Sequence, residues 1–361
     1  MSNPLDAHEL RARVQAVVDA EIATQEGVLA EVGPDMVPFV DLVATLVRGG
    51  KRLRAAFFYW GYRAAGGPDS DAVVRAASAM EFFQAAALLH DDVMDGSDTR
   101  RGMPSAHRRL AAHHAAQGWS GDPDRFGEAG AILAGDLCLT WTDELYATSG
   151  LPADEIARGR GLFDRMRTQL MGGQFLDVLE AARGWERSTA AERIARARHV
   201  IRYKSAKYTV EHPLLIGATA AGAGAGDLAS LSRYGLALGE AFQLRDDVLG
   251  VFGDPDQTGK PAGDDLREGK RTVLVAEALD TGGPDAAALF DKLLGQPDLD
   301  GAQVAQLREA ITSTGALARV EASIDRLAAQ ARHQLATATG LTAEGAATLE
   351  ALIGLSTARS A

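Results

Sequence analysis

The chain has 361 residues, 46% of them hydrophobic and 24% charged, and its 37 Lys and Arg against 49 Asp and Glu leave a formal net charge of −12. These proportions exclude a disordered or fibrous chain, and the acidic balance excludes nucleic acid or an anionic membrane as main partner, because both need a positive field. One cysteine, Cys138, excludes an internal disulfide and points to a reducing compartment, the cytoplasm, and no wholly apolar run of about 18 residues or signal-peptide core is found, so no transmembrane segment is expected.

Alanine, leucine, arginine and glutamate dominate, and apolar residues recur at three and four. In chain order this predicts helices over 7–31, 37–48, an apolar helix containing AAFFYWGY, then 71–94, 128–148, 153–182, 190–216, 228–252 and 315–339, the last capped by Gly340. Thr189 with Glu192 forms a capping box. Loops rich in Gly, Pro, Asp or Ser fall at 64–70, 96–105, 115–127, 183–188, 253–269 and 281–302. Strand signals are nearly absent and no fixed repeat period exists, so a solenoid is disfavoured. The expectation is an all-α fold, a single domain over 1–361 whose long, mostly antiparallel helices surround a central cavity. The stretch AGAGAGD, Ala221 to Asp227, follows a helix rather than a strand, so it reads as a helix end and connection, not a nucleotide loop.

Three features carry chemistry. The first is His90-Asp91-Asp92-Val93-Met94-Asp95, closing an apolar helix. Asp91 and Asp95 are i and i+4, so their carboxylates share one face, an arrangement suited to metal ions; taken alone, the motif also fits a solvated helix end. The second is Phe242-Gln243-Leu244-Arg245-Asp246-Asp247, ending another apolar helix and trailed by Gly259-Lys260 and Gly269-Lys270. Two such acidic pairs facing one cavity suit Mg²⁺, which keeps waters and bridges to substrate phosphates, and no Cys/His cluster offers a zinc site. His107, His113 and His114 read as surface histidines. The third is Gly49-Gly50-Lys51-Arg52-Leu53-Arg54, three cations at a helix start, unfavourable against the macrodipole unless an anion offsets them, although a solvated face would look the same. Arg100-Arg101-Gly102 adds two cations just after the first acidic motif. Cys138, in the helical stretch AGDLCLTW, reads as a small core residue.

GGKRLR, LLHDDVMD followed by RRG, GGQFLD, YKSAK, FQLRDD and GKPAGDDLREGKRT occur in that order between about residues 49 and 272. The set resembles the trans-type isoprenyl (polyprenyl) diphosphate synthases, prenyltransferases that join isopentenyl diphosphate to an allylic diphosphate, with geranylgeranyl diphosphate synthases the nearest kind. The resemblance implies an isoprenoid-synthase bundle and three Mg²⁺ ions held by Asp91, Asp95 and Asp246, with Asp92 and Asp247 supporting. It places Arg100, Lys204 and Lys260 on the allylic diphosphate, with Ser205 where threonine is usual. Gln243 and Lys270 match further substrate positions, Gln174 and Asp177 a cavity wall, and Lys51, Arg54 and Arg101 the isopentenyl diphosphate site. It also implies a homodimer. Two positions depart from the pattern: Gln84 stands where a histidine is usual, and Gly250 replaces the fifth-position aspartate of the second motif, leaving Asp246 and Asp247, aided by Asp254.

The chemistry implied is loss of the allylic diphosphate, stabilised by metals and fixed cations, then attack by the isopentenyl double bond and proton loss to the diphosphate, with no side-chain base. Product length follows from the depth of the cavity beyond Asp91. Ala86 and Ala87 carry no aromatic ring to stop a C15 chain, and Phe83, about 12 Å along the helix axis, forms a floor for a C20 chain; Phe82 and Phe83 as plain core packing is the alternative. The order is therefore C20 geranylgeranyl diphosphate first, C25 and longer next, C15 last. A class I terpene cyclase has no use for Lys51, Arg54 and Arg101, and a non-catalytic subunit of a heteromeric synthase draws its support from Gly250.

Overall fold

The helix-period segments become helices in the computed structural model, which describes residues 4–185, 188–254, 263–296 and 298–358. The order is α1 Leu10–Ala30, α2 Val37–Val47, α3 Leu53–Ala64, α4 Asp71–Met94, a two-stranded hairpin of β1 Thr99–Arg100 and β2 Met103–Pro104, α5 Ala106–Gln117, α6 Pro123–Ala147, α7 Ala153–Arg183, α8 Ala190–Val200, a π-helical segment Ile201–Glu211, α9 His212–Ala220 and α10 Ala225–Phe252. After it come α11 Asp264–Arg267, α12 Val273–Thr281, α13 Gly283–Leu293, α14 Gly301–Ser313, α15 Ala316–Ala336 and α16 Ala343–Thr357. The fold is all-α, as expected. Two compact units divide it: Met1–Phe163 with Pro213–Leu228 and Gly340–Leu349, and Asp164–His212 with Ala229–Thr339 and Glu350–Ala361.

In the first unit α4 is the central element. Ser70 caps it by accepting from the Val73 N–H, and Asp71 suits the positive end. Its far end closes in a Schellman turn, with Gly96 at φ +65° and the Ser97 N–H donating to the Asp92 carbonyl at 3.0 Å. That turn fixes the register of the acidic motif. By length and hydropathy α4 qualifies as a membrane span, which the sequence reading did not expect. However, 72% of that window is buried inside the protein, as in a core helix. Glycines on α6 bring α4 and α5 close: a Cβ at Gly135 would strike the His90 ring, and one at Gly127 the His107 carbonyl. Phe82 meets Trp141 edge-on at 5.9 Å, and Cys138 is buried, so burial raises its thiol pKa. The same packing corrects the histidines. Ala106, His107, Leu110, Ala111 and His114 form the buried face of α5, with His114 bonded to the Ser120 carbonyl and set between Trp119 and Phe126.

In the second unit the Thr189–Glu192 capping box forms as expected, and the segment expected as one helix over 190–216 widens into the π-helix at Ile201. A π turn is broader than an α turn, and its neighbours supply glycines: a Cβ at Gly173 on α7 would meet the Tyr203–Lys204 backbone, and at Gly239 and Gly235 on α10 would meet Ala206 and Glu211. Three further expectations change. The loop over 281–302 contains α13, opened by Pro284 in its first turn. Within 253–269, α11 forms a short turn. Thr337, not Gly340, caps α15, while in the first unit the Gly340 N–H donates to Asp227. AGAGAGD is a helix end and connection, with α10 beginning at Ala225.

Candidate active site

The first acidic motif sits in the last turn of α4, at the negative end of the helix dipole, where carboxylates are disfavoured without cations. Asp92 is buried; Asp91 and Asp95 are half-buried. The cation present is Arg100. Its Nε donates to Asp92 Oδ1 at 2.8 Å, its Nη2 also bonds that oxygen, and Nη2 lies 3.9 Å from Asp91 Oδ2. The next residue turns the other way: Arg101, in a left-handed conformation at φ +55° before Gly102, donates from Nη1 to the Leu46 carbonyl at 3.0 Å and lies against Gly50. The hairpin thus sends one arginine to the acid motif and its neighbour to GGKRLR.

The three cations of GGKRLR separate. Arg52 is buried and structural, donating to Glu81 at 2.7 Å, to the Val47 carbonyl at 2.6 Å and to Gln15. Lys51 is exposed and Arg54 half-buried at the N-terminus of α3, a place that favours anions. Although Arg101 is exposed overall, burial of its guanidinium lowers its pKa, and Arg52, Arg100 and Arg54 add to that effect against Glu81. A small cleft gathers Leu46, Arg52, Glu81, Gln84, Leu88 and Arg101, so Gln84 and Arg101 line one cleft. Behind the motif, Phe83 and Ala86 are buried and Ala87 is half-buried.

In the second unit, Asp246 is exposed and Asp247 buried near the C-terminal end of α10. Burial pushes the Asp247 carboxyl well up; Asp265 and Asp246 push the same way, while a 2.8 Å bond from Gln243 and the charge of Lys270 oppose. Arg245, between the motif residues Gln243 and Asp246, turns to α15 as a bidentate partner of Glu321 at 2.6 and 2.7 Å. Lys204, on the π segment, donates to Asp177 at 2.5 Å on the turn after half-buried Gln174. Ser205 is half-buried beside Lys204, and Lys270 Nζ lies 2.6 Å from Glu268 and 3.7 Å from Asp265. Asp254 is exposed; Lys260 lies outside the described residues. Sequence reasoning did not single out Asp265 or the structural role of Arg52.

Among the described residues no three His, Cys, Asp or Glu side chains form a ready metal cage. In each unit, carboxylates toward the negative end of a helix are of the type that suits a hard cation taking its remaining ligands from water and phosphate oxygens.

An all-α chain with acidic motifs at helix ends and cations gathered beside them defines a prenyltransferase of the isoprenoid synthase class. Residues 39–311 match the polyprenyl synthetase family, and the chain belongs to that family of polyprenyl diphosphate synthases. It is 32% identical to a nonaprenyl diphosphate synthase of Mycobacterium tuberculosis over 90% of this chain and 85% of that one. With a geranylfarnesyl diphosphate synthase of Aeropyrum pernix the identity is 34%, over 65% of this chain and 68% of the other. Among solved structures, a geranylgeranyl pyrophosphate synthase from Corynebacterium glutamicum, complexed with isoprenyl diphosphate and magnesium, superposes with a TM-score of 0.92 at 40% identity, covering 97% of this chain and 99% of that one.

Proposed function

We propose that the protein condenses isopentenyl diphosphate with an allylic diphosphate in a Mg²⁺-dependent reaction, giving C20 geranylgeranyl diphosphate. The observation that carries this reading is the divergence of Arg100 and Arg101: one hairpin gives a cation to the acid motif and a cation to the GGKRLR helix start, as two separate diphosphates require. Asp91, Asp95 and Asp246 would hold the ions, three with substrate bound, which supply Lewis-acid stabilisation of the departing diphosphate. Arg100, Lys204 and Lys260 would orient that group, with Ser205, Gln243 and Lys270 beside it. Lys51, Arg54, Gln84 and Arg101 would hold the isopentenyl diphosphate. Phe83 and the small Ala86 and Ala87 favour C20, and the solved geranylgeranyl synthase supports it. The nonaprenyl and geranylfarnesyl relatives favour longer products as the second reading. Met171, Phe175 and Val178, exposed at helical spacing on α7, support a homodimer.

The test incubates the purified chain and labelled isopentenyl diphosphate with dimethylallyl, geranyl or farnesyl diphosphate, with Mg²⁺ or with chelator, and chromatographs the lipid. Metal-dependent C20 product is expected. Arg101→Gln should raise KM for isopentenyl diphosphate and Arg100→Gln that for the allylic primer. Absence of product with every primer would overturn the catalytic reading in favour of a subunit that needs a partner.

A further inference from the structure

Position 250 follows Asp246 by four residues on α10, so a side chain there would leave the helix on the same face. That space is filled. A Cβ at Gly250 would collide with the carboxylate of Asp265, whose Oδ2, Cγ and Oδ1 are the three nearest atoms. Asp265 belongs to α11, a turn opened by Gly263 at φ +76°, and its side chain is 13% exposed with Oδ1 3.7 Å from Lys270 Nζ.

We propose that Gly250 is a seat and not a lost ligand: the carboxylate of Asp265, delivered from α11, takes the place of the motif's missing fifth-position carboxylate, and glycine is the residue that admits it. Any larger residue at 250 displaces Asp265 and with it the turn that carries Lys270. Gly250 acts through Asp265 and is a positioning residue. The inference rests on the Mg²⁺–diphosphate reading above and removes the main argument for a non-catalytic subunit.

The experiment measures the thermal midpoint of the purified full chain without ligand, with Mg²⁺, and with Mg²⁺ plus inorganic pyrophosphate. Wild type should be stabilised by the last combination. Asp265→Asn, which exchanges one oxygen for nitrogen, should keep the ligand-free midpoint and lose most of the pyrophosphate-dependent shift. Gly250→Asp should lower the ligand-free midpoint by several degrees and weaken the shift. Combining Gly250→Asp with Asp265→Ala should recover both, because the carboxylate returns to 250 and its obstruction is gone. A wild-type response in Asp265→Asn, or a double variant no better than Gly250→Asp, overturns the proposal. Should Gly250→Asp fail to fold, Asp265→Asn still decides. A wild-type protein unmoved by Mg²⁺ and pyrophosphate would instead overturn the diphosphate reading itself, and this inference with it.

Discussion

Two adjacent glycines on α7 separate a packing requirement from a tolerance. Gly172 is exposed, and a Cβ there would meet nothing within 4 Å. Gly173 is buried, and a Cβ there would come within 2.5 Å of the Lys204 backbone nitrogen, against 3.4 Å for ordinary contact. Gly172→Ala should therefore stabilise the helix by about 0.5–1 kcal/mol and leave turnover unchanged. Gly173→Ala must push the π segment away by roughly 0.9 Å, the difference between those two distances. Overpacking of this kind costs about 1–3 kcal/mol of stability. The larger effect should be catalytic, because the displaced backbone carries Lys204 and its bond to Asp177. A misplacement of about 1 Å costs on the order of 100-fold in rate. Steady-state kinetics at 25 °C, with each diphosphate varied in turn, should show kcat reduced by about that factor in Gly173→Ala, alongside a lowered melting midpoint. Equal activity in the two variants would refute the view that the π segment is held by close backbone approach.

Phe83→Ala should lengthen the product by at least one C5 unit on chromatography, at a stability cost of about 3–5 kcal/mol typical of a buried aromatic; an unchanged length distribution removes Phe83 as the floor. His212, buried with Nε2 3.0 Å from Gln169 Oε1, has its pKa lowered by burial from 6.5 to about 4. Between those values the unfolded chain binds the extra proton, so the stability is fully present above about pH 6.5 and falls as pH drops toward 4. By pH 5 this removes about 2 kcal/mol. Denaturant titrations at pH 7 and pH 5 should show that loss in wild type and less of it in His212→Asn; equal losses would contradict the assignment. Arg52→Met strands buried Glu81 and should cost about 3–5 kcal/mol, most of it recovered when Glu81→Leu is added; a double variant as unstable as the single would show that the pair is not the source.

What was legible in the sequence is what is local. The span of α4 and its acidic end follow from a capping serine, an apolar run and a terminating glycine, all within 27 residues of one another. The buried face of α5 has helical spacing too, yet His107 and His114 hold two of its five positions, and a histidine reads as polar until a neighbour covers it. Gly282, Gly283 and Pro284 read as breakers, whereas proline in a first turn starts α13. The π segment bears no mark of its own; its signature lies in Gly173, Gly235 and Gly239 on other helices. Lys51, Arg52 and Arg54 are alike in local chemistry, and Glu81 and Gln15, on other helices, turn Arg52 inward together with the Val47 carbonyl. Gly250 looked like a deletion of function because its occupant, Asp265, lies on another element.

Among the described residues, three cations proposed for the allylic side share one property. Arg100 is bonded to Asp92, Lys204 to Asp177 and Lys270 to Glu268. Each pair largely cancels its own field, and each acid motif lies toward the negative end of its helix, so on the function proposed above divalent cations would be needed to draw a diphosphate there. The isopentenyl side is built on the opposite principle. There burial of the Arg101 guanidinium lowers its pKa, and crowding by Arg52, Arg100 and Arg54 adds to that effect against Glu81. An anion relieves that crowding directly. The two diphosphates should therefore differ in their need for metal: the isopentenyl group can bind to the protein's own charge, whereas the allylic group, whose departure starts the reaction, is admitted only with its metals. On the function proposed above, a primer held in this way would not be ionised before the ions that stabilise its leaving group are in place.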